Sequence, residues 1–316
     1  MKIVIPGGTG HVGTLLTHHF RQAGHQVVVL SRNVEAHAVL WDGKTLGPWA
    51  RELDGADVVI NLAGRSVDTR YSAAKKAEIL ASRVDSTRVV GEAIAIAKHP
   101  PRVWLQASTA TIYAHTFGPA NDEHTGTIGG HEPDVPDSWH FSIEVARAWE
   151  QALDDADTPH TRKVKMRAAV VMSPDPGGAF HAILRHIRLG FGRFGDGRQY
   201  MSWIHEEDFI RAVEFLIEHD EIDGPVNLAS PHPLPNREFM EELREAWGGR
   251  PTVPTYRPML EIGAFLMRTE PELVLKSRRV VPARLLENGF TFEFPVWSDA
   301  ARDLCSRRRR GAGMIW

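Results

Sequence analysis

The feature that most constrains the fold is a glycine-rich stretch near the start of the chain. Residues 7–13 read Gly-Gly-Thr-Gly-His-Val-Gly and come directly after a β-branched run at residues 3–5. From Val12 to Phe20, apolar side chains recur at the spacing of an amphipathic helix. Glycines allow a tight turn and close approach of a ligand, and free N–H groups at a helix N-terminus favour phosphate. This order of strand, glycine turn and helix predicts a dinucleotide-binding site.

The rest of the chain alternates between predicted strands and helices. We expect strands at residues 26–30, 39–41, 57–62, 102–107, 163–172 and 224–228, and helices at residues 46–53, 72–98, 141–154, 179–189, 206–219 and 235–247. Such alternation predicts an α/β fold, a doubly wound parallel Rossmann sheet with right-handed crossovers. After residue 173 the pattern is less regular, which indicates a smaller C-terminal substrate lobe.

Composition and charge exclude several classes of function. The 316 residues carry a net charge of −3, which gives no general attraction to nucleic acid or to acidic membranes. No apolar run reaches the roughly 18 residues of a transmembrane helix. The single cysteine, Cys305, cannot form an internal disulfide, the first strand leaves no room for a signal peptide, and no cluster has metal-ligand spacing. We therefore expect a cytoplasmic monomer or homodimer with a small-molecule substrate, no metal, and no nucleic-acid or membrane partner.

The residues after the second strand identify the cofactor. An acid at that point usually binds the ribose 2′-hydroxyl of NAD, but residues 30–33 read Leu-Ser-Arg-Asn. Ser31 and Arg32 suit a 2′-phosphate, because Arg can bind phosphate through two N–H groups. The sequence therefore predicts NADP(H), with the alternative that Arg32 is only a surface arginine. We expect Asp42 at the adenine edge and residues 62–64 over the adenosine.

Together these patterns divide the chain into three parts. Residues 1–175 form the predicted NADP-binding Rossmann domain, to which later segments can return, and residues 176–305 form the smaller substrate-binding lobe. Residues 306–316 form a basic tail with four consecutive arginines at 307–310. We favour a solvated, disordered terminus over a nucleic-acid contact for this tail.

Three stretches resemble the extended short-chain dehydrogenase/reductase superfamily, in its NAD-dependent epimerase/dehydratase-like branch. They are the glycine turn at residues 7–13, Asn-Leu-Ala-Gly at 61–64 and Ser-Thr-Ala-Thr-Ile-Tyr at 108–113. Further stretches are similar to an atypical subgroup called epimerase family proteins, namely residues 82–84, 197–205, 279–286 and 289–290. That subgroup carries a short C-terminal extension, here from near residue 250. The resemblance implies NADP(H) binding and leaves the substrate undefined.

The resemblance also implies where catalytic groups belong. In the superfamily a Ser or Thr after strand five polarises the substrate oxygen, and the Tyr of a Tyr-x-x-x-Lys motif transfers its proton. Thr109 fills the first place, with Ser108 as the fallback. Ser142 and Ala146 stand where the Tyr and the Lys belong. The literal Tyr-x-x-x-Lys at residues 71–75 follows strand four, so we interpret it as a chance match on the wrong helix.

Without that Tyr, the proton comes from another group or from water, or no proton is transferred. The candidates are Tyr113, His140, Glu144 and His205. Each has a structural alternative: Tyr113 as a packed aromatic, Glu144 as a surface carboxylate and His205 as a helix-entry residue. Arg83 is a candidate for the floor of the site, with a structural ion pair as its alternative.

The predicted cofactor site draws on several strand ends. Backbone N–H groups of Val171 and Met172 are expected at the nicotinamide carboxamide, since the superfamily binds it at this turn. The whole predicted set is Gly7, Gly8, Thr9, Gly10, His11, Val12, Gly13, Ser31, Arg32, Asp42, Leu62, Ala63, Gly64, Arg83, Val171 and Met172. We expect the substrate pocket to be walled by residues 115–138, by the helix after residue 178, and by aromatic and apolar side chains at Phe194, Tyr200, Met201 and Trp203.

Three functions remain open at this point. The first is an NADP(H)-dependent oxidoreductase or epimerase-like enzyme that acts on a small carbonyl or hydroxyl compound through Thr109. The second is an NDP-sugar epimerase or dehydratase, which is disfavoured because Val170 stands where such enzymes usually carry Asn. The third is a non-catalytic, NADP(H)-binding regulatory protein.

Overall fold

The computed structural model describes residues 1–33, 38–67, 69, 71–132, 135–136, 139–249, 251–255 and 272–312. Its strands are β1 (Lys2–Pro6), β2 (Gln26–Ser31), β3 (Ala38–Leu40), β4 (Val58–Asn61), β5 (Val103–Thr109), β6 (Arg162–Ala168), β7 (Val170–Met172), β8 (Phe191–Phe194), β9 (Tyr200–Met201), β10 (Trp203–His205), β11 (Gly224–Leu228), β12 (Leu234–Pro235) and β13 (Val253–Thr255). Its α-helices are α1 (His11–Gln22), α2 (Ala73–Ala95), α3 (His140–Asp154), α4 (Ala179–Arg188), α5 (Glu206–Glu218), α6 (Asn236–Trp247), α7 (Glu272–Leu275), α8 (Ala283–Glu287) and α9 (Trp297–Ala312). Short 3-10 helices cover Pro48–Glu52 and Ala110–Ile112.

The centre of the molecule is a seven-stranded sheet with the order β11-β6-β5-β4-β1-β2-β3. All its strand pairs are parallel. The order changes direction between β1 and β4, and ligands bind α/β sheets at the carboxyl ends of strands beside such a point. The predicted fold class, a doubly wound parallel sheet, is confirmed.

Alternating strand residues bury opposite faces of this sheet. Ile3 and Ile5 of β1 pack into a core with Leu16 and Phe20 of α1 and with the apolar side of α5. Val4, between them, packs into a second core with α2, the end of α3 and the first 3-10 helix. Because both faces are covered, the strand reads as a continuous apolar run. Burying each large side chain is worth about 1.5–3 kcal/mol.

Two predicted elements differ from the structure. The predicted strand at residues 163–172 is two strands, because β6 ends at Ala168 and β7 leaves the central sheet to pair with β10. The backbone N–H of Ala169 donates to the Leu228 carbonyl at the break (2.9 Å). The predicted helix at residues 46–53 is only the 3-10 turn Pro48–Glu52.

The arginines at 307–310 are helical, so the expectation of a disordered tail is wrong for these residues. They belong to α9, which runs to Ala312. Arg307 forms ion pairs with Glu206 and Asp303, and the Arg309 guanidinium lies 4.6 Å from the Trp247 ring centroid. These contacts fix the side chains to the lobe, which a periodicity argument from the sequence does not reveal. The domain boundaries at 175 and 305 stay predictions.

A third core lies in the C-terminal half, around stacked aromatic rings. The rings of Phe239 and Trp297 stack at 3.9 Å, and Trp203 meets Trp297 edge-on at 4.9 Å. Phe194 and Met201 are buried in the same cluster. The side chains of Phe194, Met201 and Trp203 therefore fill the lobe core. The expectation that they wall the substrate pocket together with Tyr200 is wrong for these three residues.

The chain then returns to the Rossmann part of the molecule. Val280 forms a bridge with Asn121, the Arg278 N–H donates to the Tyr200 carbonyl (2.9 Å), and the Ser202 hydroxyl donates to the Arg278 carbonyl (2.7 Å). Within the predicted pocket loop, extension and tail, residues 133–134, 137–138, 250, 256–271 and 313–316 lie outside the described residues. No helix in the described part of the chain has the length and apolarity needed to cross a membrane.

Candidate functional site

The glycine turn combines tight packing with one open face. Gly7 has φ +78°, and a Cβ there would lie 2.8 Å from the Ala63 backbone. A Cβ at Gly13 would lie 2.6 Å from the Cα of Gly8, so any side chain would push the helix off the turn. At Gly10 a Cβ would meet only the Gly7 carbonyl oxygen, at 3.4 Å. Gly10 therefore faces a space at the N-terminus of α1 that fits a pyrophosphate.

The end of β2 is tied to this turn. The N–H of Gly7 donates to the Leu30 carbonyl (2.9 Å), and the hydroxyls of Thr9 and Ser31 lie 3.3 Å apart. The Asn33 N–H donates to the Ser31 hydroxyl (3.2 Å), while the Arg32 side chain is exposed beside it. Two hydroxyls thus meet at the end of β2 with an exposed arginine next in the chain, and residues 30–33 contain no carboxylate to repel a 2′-phosphate.

Asp42 is engaged within its own turn. Its oxygens accept hydrogen bonds from the N–H groups of Lys44 and Thr45, at 2.8 Å each, and from the Thr45 hydroxyl. The hydroxyl contact is the main cause that lowers the pKa of this carboxyl. The geometry thus gives Asp42 a turn-stabilising role, and its place at the adenine edge stays a prediction.

The loop after β4 is held in shape by Asn61 and rests on Arg83. The Asn61 side chain donates to Gln106 (3.0 Å) and accepts from the Ala63 N–H (3.1 Å). A Cβ at Gly64 would lie 3.2 Å from the guanidinium carbon of Arg83, which itself stacks 4.9 Å from the Trp149 ring centroid. Burial lowers the pKa of Arg83 to about 10. Arg83 therefore lies under the predicted adenosine loop.

His11 carries a buried polar atom that suits a ligand. Its Nε2 would lie 2.7 Å from a Cβ at Gly178, the residue before α4, and it has no hydrogen-bond partner among the described residues. A buried donor or acceptor left unpaired costs about 1–3 kcal/mol. Since His11 is the first residue of α1, a dinucleotide on the glycine turn would lie within reach of this atom. The glycine turn, β2 end and His11 together fit a phosphorylated dinucleotide.

The strand-five motif divides its two hydroxyls between opposite faces. Ser108 Oγ donates to Glu150 Oε1 (2.6 Å), and Arg167 forms two hydrogen bonds of 2.8 Å with the same carboxylate. Thr109 is half-buried, and its hydroxyl accepts from the Thr111 N–H (3.1 Å). Ser108 is therefore committed to a buried ion-pair network, whereas Thr109 lies on the other side of the strand end.

Tyr113 belongs to that same buried network. Its hydroxyl donates to Asn227 Oδ1 and accepts from Arg167 Nη1, each at 3.0 Å. Burial raises the pKa of Tyr113, and only 2% of the residue is exposed. These contacts favour the packed-aromatic interpretation over proton transfer, although the catalytic role of Tyr113 remains a prediction.

Of the other proton-transfer candidates, His205 is a helix cap. Its Nδ1 accepts from the Glu207 N–H (3.1 Å), so Nε2 carries the proton and donates to Asp303 (3.2 Å). Burial lowers its pKa to about 4, against the opposing effect of Asp303. Glu144 is exposed on α3, and the buried Nε2 of His140 has no hydrogen-bond partner among the described residues. The geometry gives Glu144 and His205 structural or surface positions.

Tyr71 lies nearer to α3 than the sequence indicated. Its ring packs edge-on against Phe141 at 5.1 Å, one residue before Ser142. Lys75 points elsewhere, to Glu78 at 3.0 Å on the surface of α2. Tyr71 therefore packs beside the start of α3, while the Lys75 ammonium pairs with Glu78. The interpretation of residues 71–75 as a chance match stays a prediction.

The places of the missing pair are occupied differently. The Ser142 hydroxyl donates to Glu272 Oε1 at 2.5 Å. Ala146 is fully buried against a cluster that includes Ala110 and Ala229. The side chain of Met172 is buried in the lobe core. Any contact with the nicotinamide at this second predicted position would therefore come from the backbone of Met172 and Val171. The cofactor role of this backbone stays a prediction.

Sequence reasoning missed the charged residues just before the family-specific stretch at 279–286. Lys276 Nζ donates to the Thr111 carbonyl (2.9 Å), and Arg278 Nε donates to the Thr111 hydroxyl (3.1 Å). Glu272 and Lys276 are almost fully buried, at 3% and 2% exposure. The i, i+4 spacing of these two opposite charges was the one local signal that could have drawn attention to them.

Comparisons with known proteins match this geometry. Residues 3–229 match the model of the NAD dependent epimerase/dehydratase family, and residues 257–304 match a domain of unknown function, DUF1731. Epimerase family protein YfhF of Bacillus subtilis is 30% identical over 318 residues, covering 98% of this chain and 99% of its own. Epimerase family protein SDR39U1 of Homo sapiens is 29% identical over 310 residues, covering 96% and 99%.

Solved structures agree. The crystal structure of human SDR39U1 (isoform 2) with NADPH superposes with a TM-score of 0.85 at 28% identity, covering 97% of this chain and 99% of that one. UDP-N-acetylglucosamine 4-epimerase from Bacillus cereus has a TM-score of 0.73 at 17% identity, covering 98% and 99%, and so shows the fold alone. The relatives that match over nearly the whole chain are named epimerase family proteins. The match of the family model over residues 3–229 shows that the chain belongs to the NAD dependent epimerase/dehydratase family.

Proposed function

We propose that the chain is an NADP(H)-dependent oxidoreductase or epimerase-like enzyme that acts on a small carbonyl or hydroxyl compound. The observation that carries the proposal is the position of Thr109 at the end of β5, on the same edge of the sheet as the open face of Gly10. A hydroxyl at a strand end beside a dinucleotide site can bind the oxygen that gains or loses a proton.

The residues present fit NADP(H). Gly10 and the N-terminus of α1 would hold the pyrophosphate, and Thr9, Ser31 and Arg32 would hold the 2′-phosphate. The buried Nε2 of His11 would gain a partner. The NADPH described in the human SDR39U1 structure supports the same cofactor for this chain. When bound, the cofactor supplies or accepts a hydride.

The chain's own residues would orient the substrate oxygen. Thr109 is half-buried, so its hydroxyl can reach a ligand, whereas Ser108 is held by Glu150. In a carbonyl reduction Thr109 would donate a hydrogen bond to the oxygen as negative charge develops on it. The lack of Asn at Val170 supports a substrate other than an NDP-sugar, so an NDP-sugar epimerase or dehydratase is the weaker alternative.

A non-catalytic, NADP(H)-binding regulatory protein is the second candidate. The observation that favours it is the presence of Ser142 and Ala146 in place of the superfamily's Tyr and Lys. Such a protein would keep the dinucleotide site and lack turnover.

Two measurements separate these functions. NADPH oxidation at 340 nm is followed with a panel of small aldehydes, ketones and quinones, and binding of NADPH is measured by intrinsic Trp fluorescence. Turnover of any panel member that Thr109→Val reduces supports the enzyme. Tight binding with no turnover across the panel contradicts it and supports the regulatory protein.

A further inference from the structure

The C-terminal segment at residues 272–278 contacts the strand-five motif. Lys276 Nζ donates to the Thr111 carbonyl (2.9 Å), and Arg278 Nε donates to the Thr111 hydroxyl (3.1 Å). Thr111 in turn donates its N–H to the hydroxyl of Thr109 (3.1 Å). Thr111 therefore links two cationic side chains of the segment, Lys276 and Arg278, to the Thr109 hydroxyl, which we place at the substrate oxygen.

The same segment contacts the helix that carries the proton donor in the superfamily. Ser142, at the position of the Tyr on α3, donates its hydroxyl to Glu272 Oε1 (2.5 Å). Ala146, one turn later, is fully buried and leaves no ammonium on this face of α3. The carboxylate and the ammonium of this region thus come from residues 272–276 rather than from the helix.

The charges around Lys276 come from three parts of the chain. Glu272 Oε1 lies 3.9 Å from its Nζ, Arg278 follows it two residues later, and Glu132 and His115 face it from the loop after β5. Burial is the main cause that lowers the pKa of Lys276 to about 8, with Arg278 acting in the same direction. Lys276 can therefore gain or lose a proton near neutral pH, which an exposed lysine cannot.

We propose that Ser142, Glu272 and Lys276 form the acid–base group of this site and replace the Tyr and Lys of the superfamily. Ser142 is the catalytic residue, because its half-buried hydroxyl can touch the substrate oxygen. Glu272 and Lys276 are positioning residues that act through Ser142. The assignment rests on the proposed oxidoreductase function and names the group that moves its proton.

The proton follows one path in either direction. During oxidation the substrate loses a hydride from carbon to NADP⁺ and loses its hydroxyl proton to Ser142 Oγ, while Ser142 passes its own proton to Glu272. The C–OH group becomes C=O, the cofactor becomes NADPH, and the Glu272 carboxylate becomes a carboxylic acid. Carbonyl reduction runs the same transfers in reverse, with the hydride taken from NADPH. The Lys276 ammonium stabilises the Glu272 carboxylate between turnovers.

The number of protons released when the cofactor binds tests whether Lys276 lies near the nicotinamide, and this test needs no turnover. Calorimetric titrations with NADP⁺ and with NADPH, in buffers of different ionisation enthalpy near pH 8, measure the protons released. The two forms differ at the nicotinamide, which is positively charged in NADP⁺. If Lys276 lies near that ring, the added charge lowers its pKa, so NADP⁺ should release more protons than NADPH, by at most about half a proton.

Four variants test which residues cause the difference in proton release between NADP⁺ and NADPH. Lys276→Met and Glu272→Gln should abolish or strongly reduce it, and Ser142→Ala, a minimal change at a half-buried side chain, should alter it. Glu123→Gln is the matched control, because Glu123 is also a partly buried carboxylate but accepts from the N–H groups of Asn227 in β11 and Arg284 in α8, outside the segment. That control should keep the wild-type difference.

The outcomes decide the assignment. A difference in the wild type and in Glu123→Gln that disappears in Lys276→Met supports it, and equal proton release with both cofactor forms overturns it. If Lys276→Met does not fold, Glu272→Gln decides, and a difference that it leaves at the wild-type size overturns the assignment. Where the panel shows turnover, Ser142→Ala should lose about a hundredfold in rate and Ser142→Thr should regain most of it. Absence of turnover contradicts the proposed function, while proton counting still decides where the group lies.

Discussion

The glycine turn and the C-terminal segment at residues 272–278 reach the same edge of the sheet but are built in different ways. The turn is one continuous stretch whose glycines contact β1, β2 and β4. The segment meets Thr111 across 165 residues of sequence and Ser142 across 130. The glycine turn is therefore encoded by neighbouring residues, whereas the contacts of the C-terminal segment form only after the chain has folded.

The same difference separates a closely packed turn from a group assembled by folding. Gly7, Gly8 and Gly13 are closely packed, whereas Gly10 is open on the side where we propose the ligand. At the catalytic end the Tyr and Lys are absent from α3, and a buried Glu and Lys arrive from the C-terminal segment. The proposed dinucleotide site and the proposed proton-handling group thus come from different parts of the chain.

The largest expected effect is at Gly10. A valine there would fill the space that we propose for the pyrophosphate, since among the described residues only the Gly7 carbonyl lies within 4 Å of a Cβ at this position. We predict that Gly10→Val abolishes NADPH binding in a Trp-fluorescence titration and leaves the thermal midpoint close to that of the wild type.

The contrasting variant is Gly13→Val. Its Cβ would meet the Gly8 Cα at 2.6 Å, so this change should lower the thermal midpoint as well as the affinity. Unchanged NADPH binding by Gly10→Val would mean that the turn is only structural and that the open face of Gly10 holds no ligand.

The next effect is on turnover at Thr109. Thr109→Val removes a hydroxyl that would bind the developing oxyanion, and loss of one such donor lowers the rate by about 10²–10³. Steady-state kinetics with any panel substrate measures this loss, and NADPH affinity should stay the same because the adenosine contacts are distant.

Two neighbouring variants sharpen that result. Ser108→Ala should leave turnover nearly intact but destabilise the fold by about 1–3 kcal/mol, because the buried Glu150 carboxylate, which also pairs with Arg167, loses a hydrogen-bond donor. Tyr71→Phe should keep activity. If Tyr71→Phe is inactive while Thr109→Val is not, our placement of the active site is wrong.

The same comparison explains how much the sequence could predict. The strand, the glycine turn and α1 were predicted because their signals lie within about twenty neighbouring residues. The second contact of His205, with Asp303, and the break after Ala168, at Leu228, depend on partners that are remote in sequence. The approach of Lys276 to Thr111 is of the same kind. Local patterns do not encode which distant backbone atom a side chain will meet.

A smaller effect is expected at Arg32. Its guanidinium is exposed at the end of β2, where it would bind the 2′-phosphate together with Ser31 and Thr9. A charge-assisted hydrogen bond is worth about 1.5–3 kcal/mol, so NADPH should bind at least about tenfold more tightly than NADH. Parallel fluorescence titrations of Arg32→Ala should show most of this preference lost, with NADH affinity unchanged. A preference that persists in Arg32→Ala would remove Arg32 from the cofactor site.

The smallest expected effect is a pH dependence of stability that belongs to the C-terminal segment. The pKa of Lys276 is lowered from 10.5 to about 8 in the folded chain, mainly by burial. Between these values the unfolded chain binds more protons, so the free energy of unfolding should rise as pH increases above 8. Over one pH unit the rise amounts to about 1 kcal/mol, or a few degrees in the thermal midpoint. Lys276→Met should lose this rise, whereas Lys165→Met, at an ion pair with Asp154 on another part of the surface, should keep it. A rise of equal size in both variants would show that Lys276 does not titrate in this range. Of the two regions, the glycine turn alone would then keep support for a chemical role.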